Sequence, residues 1–416
     1  MLKLFHQDSG LISYLPRIEK TTFDVSLVHF LLMFGYKLFS LFYPLYLASV
    51  GISLISIGNI YFLTYSIISV SCFLINFYIH KTNPARVAAL GIFGYGIFAL
   101  MMLLSQDIRI FYAAQVVLGI SAAAWLVSLK FILMNAPSEN RTSSFGWFYA
   151  MPSYATALAP AIGGIIIWKF GFSGVFFASV VIQFTNAIYA YLRLKDEGPT
   201  AQAASERETA SPVQLSQIKR YKEAFHLLNS KKEVVLMLSF IFATLILGGI
   251  YRAFFVLLLK DLSYTQEEII GLTSALAFMY VPFSILVIKI MERLHKSKIA
   301  TGGMLLEGAA SVFLGVFYGA LSTASIFVLN LLDSMGALAL GSGKSAFFAK
   351  KLDRFKEEAS TIDSIMTTLG PAIGGLIGGL AVAAWGYQET FFIAGTIVLA
   401  LGAYSYFFRF DDRQKT

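Results

Sequence analysis

Ala159-Pro160-Ala161-Ile162-Gly163-Gly164 returns later in the chain as Gly370-Pro371-Ala372-Ile373-Gly374-Gly375. Each copy carries the same sequel: Gly171 and then Phe176-Phe177 after the first, Gly386 and then Phe391-Phe392 after the second, at nearly one offset. One repeat of such long period in an apolar chain indicates two duplicated membrane bundles, not a solenoid, whose repeat is tens of residues long. The chain is written twice.

Of its 416 residues 57% are hydrophobic and only 13% charged. A soluble domain carries about 25% charged residues, and apolar runs of about 20 residues read as bilayer spans. The runs fall near residues 24–49, 54–79, 86–105, 108–135, 144–168 and 173–192, and again near 234–259, 267–291, 299–321, 324–348, 363–384 and 388–408. No alternating ten-residue barrel pattern is present, so the spans are expected to be helices that satisfy their own backbone hydrogen bonds. The predicted fold is an all-α membrane protein with twelve transmembrane helices in two pseudo-symmetric six-helix bundles, 24–192 and 234–408. Residues 1–23 lack a small-residue cleavage site and read as an amino-terminal segment, with 409–416 as a tail. Between the bundles, 193–233 reads as a polar tether, in which Pro212–Asn229 can form a surface helix, with a regulatory or lipid-binding segment as the alternative. The lone cysteine, Cys72, sits in an apolar run and reads as packing.

The net charge of +8 is distributed by topology and not as a nucleic-acid patch. With the amino terminus inside, the intervening outer loops hold only Arg109, Lys169 and Lys260 among the 32 Lys and Arg. That bias places both termini and the linker in the cytoplasm.

Six plus six helices, duplicated halves and a long basic central loop resemble the major facilitator superfamily. Its span-five signature, Gly-x-x-x-Gly-Pro-x-x-Gly-Gly, is matched here by Ala155, Ala159, Pro160, Gly163 and Gly164, with Pro371, Gly374 and Gly375 in the second copy. Small residues allow close helix approach, and proline removes a backbone donor where two arrangements interconvert. The family's charged loop between spans two and three aligns with Asn76, His80, Lys81, Asn83 and Arg86, and its second-half counterpart with Glu292, Arg293, Lys296 and Lys298. Arg141 matches the arginine of the loop after span four, and Gln115 with Gly119 stands where proton-coupled exporters of the family have Arg-x-x-x-Gly. The resemblance implies a gate built from Lys81, Arg86, Arg141, Glu292 and Arg293 together with the proline and glycine motifs.

It also implies that spans one, four, seven and ten line a central cavity, and each carries one basic residue: Lys37, Lys130, Arg252 and Lys344. At about 1.5 Å per residue, Lys37 lies roughly 20 Å and Arg252 about 27 Å from the inner start of its helix. A charge at that depth costs a few kcal/mol unless it meets water or a partner. Lys37 follows Gly35-Tyr36, and Arg252 follows Gly249 and Tyr251, so the two form a pseudo-symmetric pair. A cation from each half suits one anion bound at the repeat interface. Phosphate-ester transporters of the superfamily resemble this arrangement, with a basic residue on each of spans one and seven. The plainer alternative pairs each cation with an internal acid such as Asp333, or lets it snorkel. Lys130 and Lys344, near the inner helix ends, are expected to snorkel. His29, Tyr36, Ser40 and Tyr43 form a stripe beside Lys37; Tyr251 accompanies Arg252, and Tyr61, Tyr65 and Tyr280 add hydroxyls. Tyr43, Tyr46 and Tyr264 are expected to anchor the interface. Asp333 is assigned as proton carrier or charge partner; Glu307, in peripheral span nine, reads as packing or gate, with coupling as its other role.

Gly341-Ser342-Gly343-Lys344-Ser345 lacks the first P-loop glycine, follows no strand, and is rejected as a nucleotide site. No metal-ligand spacing and no catalytic constellation is present, so no cofactor, metal or enzymatic activity is expected. The sequence reads as a monomeric secondary transporter of a small, anionic organic solute, in the bacterial inner membrane, with H+ or another coupling ion. Its substrate-binding candidates are Lys37, Arg252, Tyr36, Tyr251, Ser40 and His29. An exporter of drugs, lipids or other amphiphiles is the alternative within the class, and a non-transporting receptor or assembly factor the alternative outside it.

Overall fold

The computed structural model describes residues 19–79, 82–135, 141–194, 217–292, 296–352 and 354–407. The first half contains α1 (Lys20–Ser40), α2 (Tyr43–Ser49), α3 (Leu54–Tyr78), α4 (Pro84–Leu104), α5 (Ile108–Asn135) and α6 (Arg141–Arg193). Next comes α7 (Gln217–Asn229), and then the second half: α8 (Lys232–Asp261), α9 (Gln266–Glu292), α10 (Lys296–Val316), α11 (Thr323–Lys351) and α12 (Lys356–Phe407). Among the described residues 9 helices are long and apolar enough to cross a bilayer, α1 and α2 counting as one. Two of these fold back on themselves and α9 adds another of spanning length, so each of the twelve predicted crossings has its helix.

Local sequence explains where helices start. Ser53, Asn83 and Ser322 each accept on the side-chain oxygen a hydrogen bond from the backbone N–H three residues on, at 3.2, 3.0 and 3.2 Å. Pro84 and Pro44 occupy first turns, where the missing N–H has no partner to lose. Pro44 accounts for a feature absent from the predicted first span, which breaks at Leu41-Phe42 between α1 and α2.

α6 and α12, with 53 and 52 residues, are each broken at one of the repeated glycines, Gly171 (φ +67°) and Gly386 (φ +85°). A side chain there would be forced into the left-handed region. The chain reverses at both. Before Gly171 the register runs with α1: His29 meets Phe148, and Leu38 meets Gly163. After it the register runs against α1, since Gln183 Nε2 donates to the Leu32 carbonyl (2.9 Å), Asn186 Nδ2 to the Val28 carbonyl (3.0 Å) and Tyr189 to Asp24 (2.8 Å). The second half repeats the pattern: Gly370 packs on Leu245 and Gly378 on Phe254, then Phe391 returns to Tyr251 and Tyr404 to Phe240. Each repeated Phe-Phe pair divides the same way. Phe176 and Phe391 enter the core while Phe177 and Phe392 face outward.

The halves dock along α3 and the first arm of α12, which run antiparallel. Gly375 lies against Tyr61, Gly379 against the Leu54 carbonyl, Ser69 Oγ lies 2.5 Å from Thr368 Oγ1, and Asn76 Nδ2 donates to Thr361 Oγ1 at 3.2 Å. Glycines and hydroxyls at helical spacing let the two backbones approach closely. A second contact joins the first arm of α6 to α9, where Gly164 faces Ile270. The repeated Gly-Gly pair thus has a divided use. Gly163 and Gly374 take the Leu38 and Ile246 carbonyls of α1 and α8 in their own half, while Gly164 and Gly375 take α9 and α3 of the other half.

Candidate functional site

Arg252 of α8 reaches the junction between the halves, and Lys37 of α1 lies within its field. Lys37 is half-buried and forms no hydrogen bond or ion pair with a described residue; the field of Arg252 reaches it. Arg252 crosses to the other half, where its Nη1 donates to the Tyr65 hydroxyl on α3 at 2.7 Å and its guanidinium carbon lies 5.6 Å from that ring centre. Tyr61 stacks beside Tyr65 at 6.3 Å, and Tyr36 meets Tyr95 edge-on at 5.4 Å. Tyr36 lies within the fields of Tyr61, Tyr65, Tyr95 and Arg252. Two cations and a wall of phenols therefore share one region. Phenols supply hydroxyl donors and ring faces without neutralising the cations.

On the second-half side, Asp333 of α11 (8% exposed) and Glu307 of α10 (2% exposed) are buried, and Asp333 Oδ1 and Glu307 Oε1 have no hydrogen-bond partner among the described residues. Gly336 makes room for the glutamate: a Cβ there would lie 2.8 Å from Glu307 Cγ. The two acids lie within each other's field and that of Arg252. An ionised carboxylate without partners is costly in such surroundings, and a proton removes the cost. Asp333 forms no ion pair with Lys37 or Arg252, so of the two plainer alternatives for these cations, pairing with this acid is not what the structure has. Arg252 is the charge whose field reaches Lys37 and both acids.

Other predicted residues lie elsewhere. His29 is buried in the first half, with Nδ1 3.0 Å from the Phe148 carbonyl and its ring packed on Phe148 and Trp125. Tyr251 stacks on Phe255 at 4.7 Å and accepts from Asn330 Nδ2 at 3.2 Å, within the second half. Ser40, half-buried, ends α1. Lys130 is half-buried, with its field reaching His29 and Cys72. Lys344 does not snorkel: its side chain is 2% exposed and its ammonium pairs with Asp363 Oδ1 at 2.5 Å, with the Thr367 hydroxyl as another acceptor. Asp363, read from sequence only as the start of a span, is the partner that retains it inside. Tyr43 and Tyr46 are likewise not interface anchors; both are buried, Tyr43 accepting from Gln115 (2.7 Å) and Tyr46 donating to the Met102 carbonyl (3.2 Å). Gln115 also accepts from Thr64 (2.7 Å), so a neutral, satisfied network fills the place of the exporters' arginine. Tyr95, a buried residue of span three that meets Tyr36, is the aromatic neighbour that the sequence did not single out.

Of the expected gate, Arg86 is exposed in the first turn of α4, where Asn83 caps its N–H. Lys81 and Arg293 lie outside the described residues, as do the side chains of Arg141 and Glu292 at the ends of α6 and α9. Pro160 and Pro371 lie inside the first arms of α6 and α12, beside the glycines that make the contacts above.

A comparison with curated proteins by sequence found no match. Among solved structures, the nucleoside transporter NupG superposes with a TM-score of 0.75 at 12% identity, over 94% of this chain and 100% of that one. A POT family transporter in complex with 5-aminolevulinic acid superposes with a TM-score of 0.74 at 13% identity, over 93% and 95%. The peptide transporter POT in complex with sulfate gives 0.70 at 14%, over 93% and 94%. At such identities the likeness is one of fold. The sequence profile of the Major Facilitator Superfamily matches residues 25–260 and 236–416, one match for each half of the duplication. By that match and the fold around it, the chain belongs to the Major Facilitator Superfamily.

Proposed function

We propose that this secondary transporter moves a small organic anion by alternating access, with Lys37 and Arg252 as the binding cations. One observation carries the reading: Arg252 of the second half already reaches across to Tyr65 of the first, and its field reaches Lys37, the cation of the other half. An anion held between them is gripped by both halves while they rock, as a site at a repeat interface requires. Tyr36, within the field of Arg252, would add a hydroxyl. Ser40, His29 and Tyr251 then act as supports around the cavity. Asp333 and Glu307, buried and incompletely hydrogen-bonded, are suited to hold a coupling proton that Arg252 senses. The working unit in this reading is a monomer with both termini in the cytoplasm.

The test is uptake into proteoliposomes across labelled organic phosphates, carboxylates and nucleotides. One class should be taken up, and Lys37→Ala and Arg252→Ala should each lower its uptake at least about tenfold, roughly the loss of one charge-assisted hydrogen bond. Well-folded variants with unchanged uptake would show that the cations do not bind the solute.

A further inference from the structure

The linker helix α7 touches both halves, which a tether does not need to do. Its buried face is Tyr221, Ala224 and Leu228. Tyr221 packs on Phe73 of α3 at 5.4 Å, and its hydroxyl accepts from Asn76 Nδ2 at 3.1 Å, both contacts with the first half. One residue earlier, Arg220 turns to the second half. Its Nε lies 2.7 Å from Glu358 Oε1 and its Nη2 donates to Glu358 Oε2 at 3.0 Å, a two-point pairing at the start of α12. Ala224 and Leu228 enter an apolar cluster with Val234, Phe348, Leu352 and Ile362. Asn76 links the two sides directly, since the same amide that meets Tyr221 also donates to Thr361 of α12.

We propose that α7 is a clasp across the adjoining ends of α3 and α12, where Asn76 meets Thr361, limiting how far the two halves separate on that face. The chemistry suits a releasable contact. Glu358 is buried, 4% exposed at its side chain, while Arg220 is 37% exposed, so the pair lies at the edge of water, where a guanidinium can leave without crossing an apolar layer. A two-point guanidinium–carboxylate pair also fixes direction, which a greasy contact alone does not. Opening of this face requires α3 and α12 to diverge where Asn76 and Thr361 meet, and α7 is bonded to both. The linker thereby sets the balance between the two access states without touching the central site.

Paired nitroxide labels at Thr82→Cys and Arg354→Cys, in a Cys72→Ala background, report the separation of the halves on this face by pulsed electron resonance. The full chain should give one dominant short distance. Arg220→Gln and Tyr221→Ala should each shift population to a longer distance. The exchanged pair, Arg220→Glu with Glu358→Arg, should restore the short one, which separates loss of the clasp from loss of folding. Unchanged distances in both single variants, or a shift that the exchanged pair leaves in place, would overturn the proposal and return the linker to a passive tether.

Discussion

Lys344 and Asp363 make the plainest statement at the residue scale about charge in this protein. The lysine is enclosed at 2% exposure, whereas Asp363 keeps 22%, so removing either partner has unequal effects. Asp363→Ala strands a buried ammonium and should lower stability by about 3–5 kcal/mol, while Lys344→Ala leaves a carboxylate that can reach water and should cost clearly less. Thermal unfolding of the purified variants measures this, and equal losses would contradict the asymmetry. Gln115→Leu should cost about 0.5–1.5 kcal/mol in the same assay, because the Tyr43 and Thr64 hydroxyls each lose one partner inside the first half while keeping Met102 Sδ and the Ile60 carbonyl. The sequence showed Lys344 near a helix end and suggested snorkelling, a sound inference for one helix alone. What it could not show was an acid brought alongside by a separate helix. His29 and Tyr251 teach the same lesson in reverse: their helical stripe was visible, but which side of it meets the neighbouring helices depends on docking.

Elements were more readable because their breaks are written in the backbone. Gly171 and Gly386 stood out as repeated residues and are the points where α6 and α12 reverse with positive φ. Gly171→Ala should therefore cost about 1–2 kcal/mol for the left-handed conformation even though no atom lies within 4 Å of the added methyl. Gly163→Ala fails for a different reason. Its Cβ would overlap the Leu38 carbonyl, so α1 must move, at about 1–3 kcal/mol for overpacking. Gly302→Ala, in open space within α10, serves as the control and should be neutral or slightly stabilising. A uniform loss across the three would show that packing at the repeated motif is not what holds α6 to α1. The break at Leu41-Phe42 was written in Pro44, which the apolar run masks, whereas the burial of Tyr43 and Tyr46 was not readable, since apolar composition is the same for a lipid-facing and a core-facing turn.

For the whole molecule, duplication is the feature the sequence states and the structure uses throughout: two halves, two reversals, two Gly-Gly pairs each divided between an internal and a cross-half contact. The pairing of Lys37 with Arg252 by position was readable from the same repeat, while the Arg252–Tyr65 bond was not, because it joins segments related only by how the halves dock. The central claim is that these two cations hold an anion between the halves. Ligand-induced thermal stabilisation of the purified protein tests it most directly, with organic phosphates, carboxylates, nucleotides and lipophilic cations as probes. One anion class should stabilise the protein, by about 2.7 kcal/mol at a hundredfold excess over its Kd, and Lys37→Ala should abolish the effect. Stabilisation by lipophilic cations alone, or by an anion equally in the Lys37→Ala protein, would contradict the account.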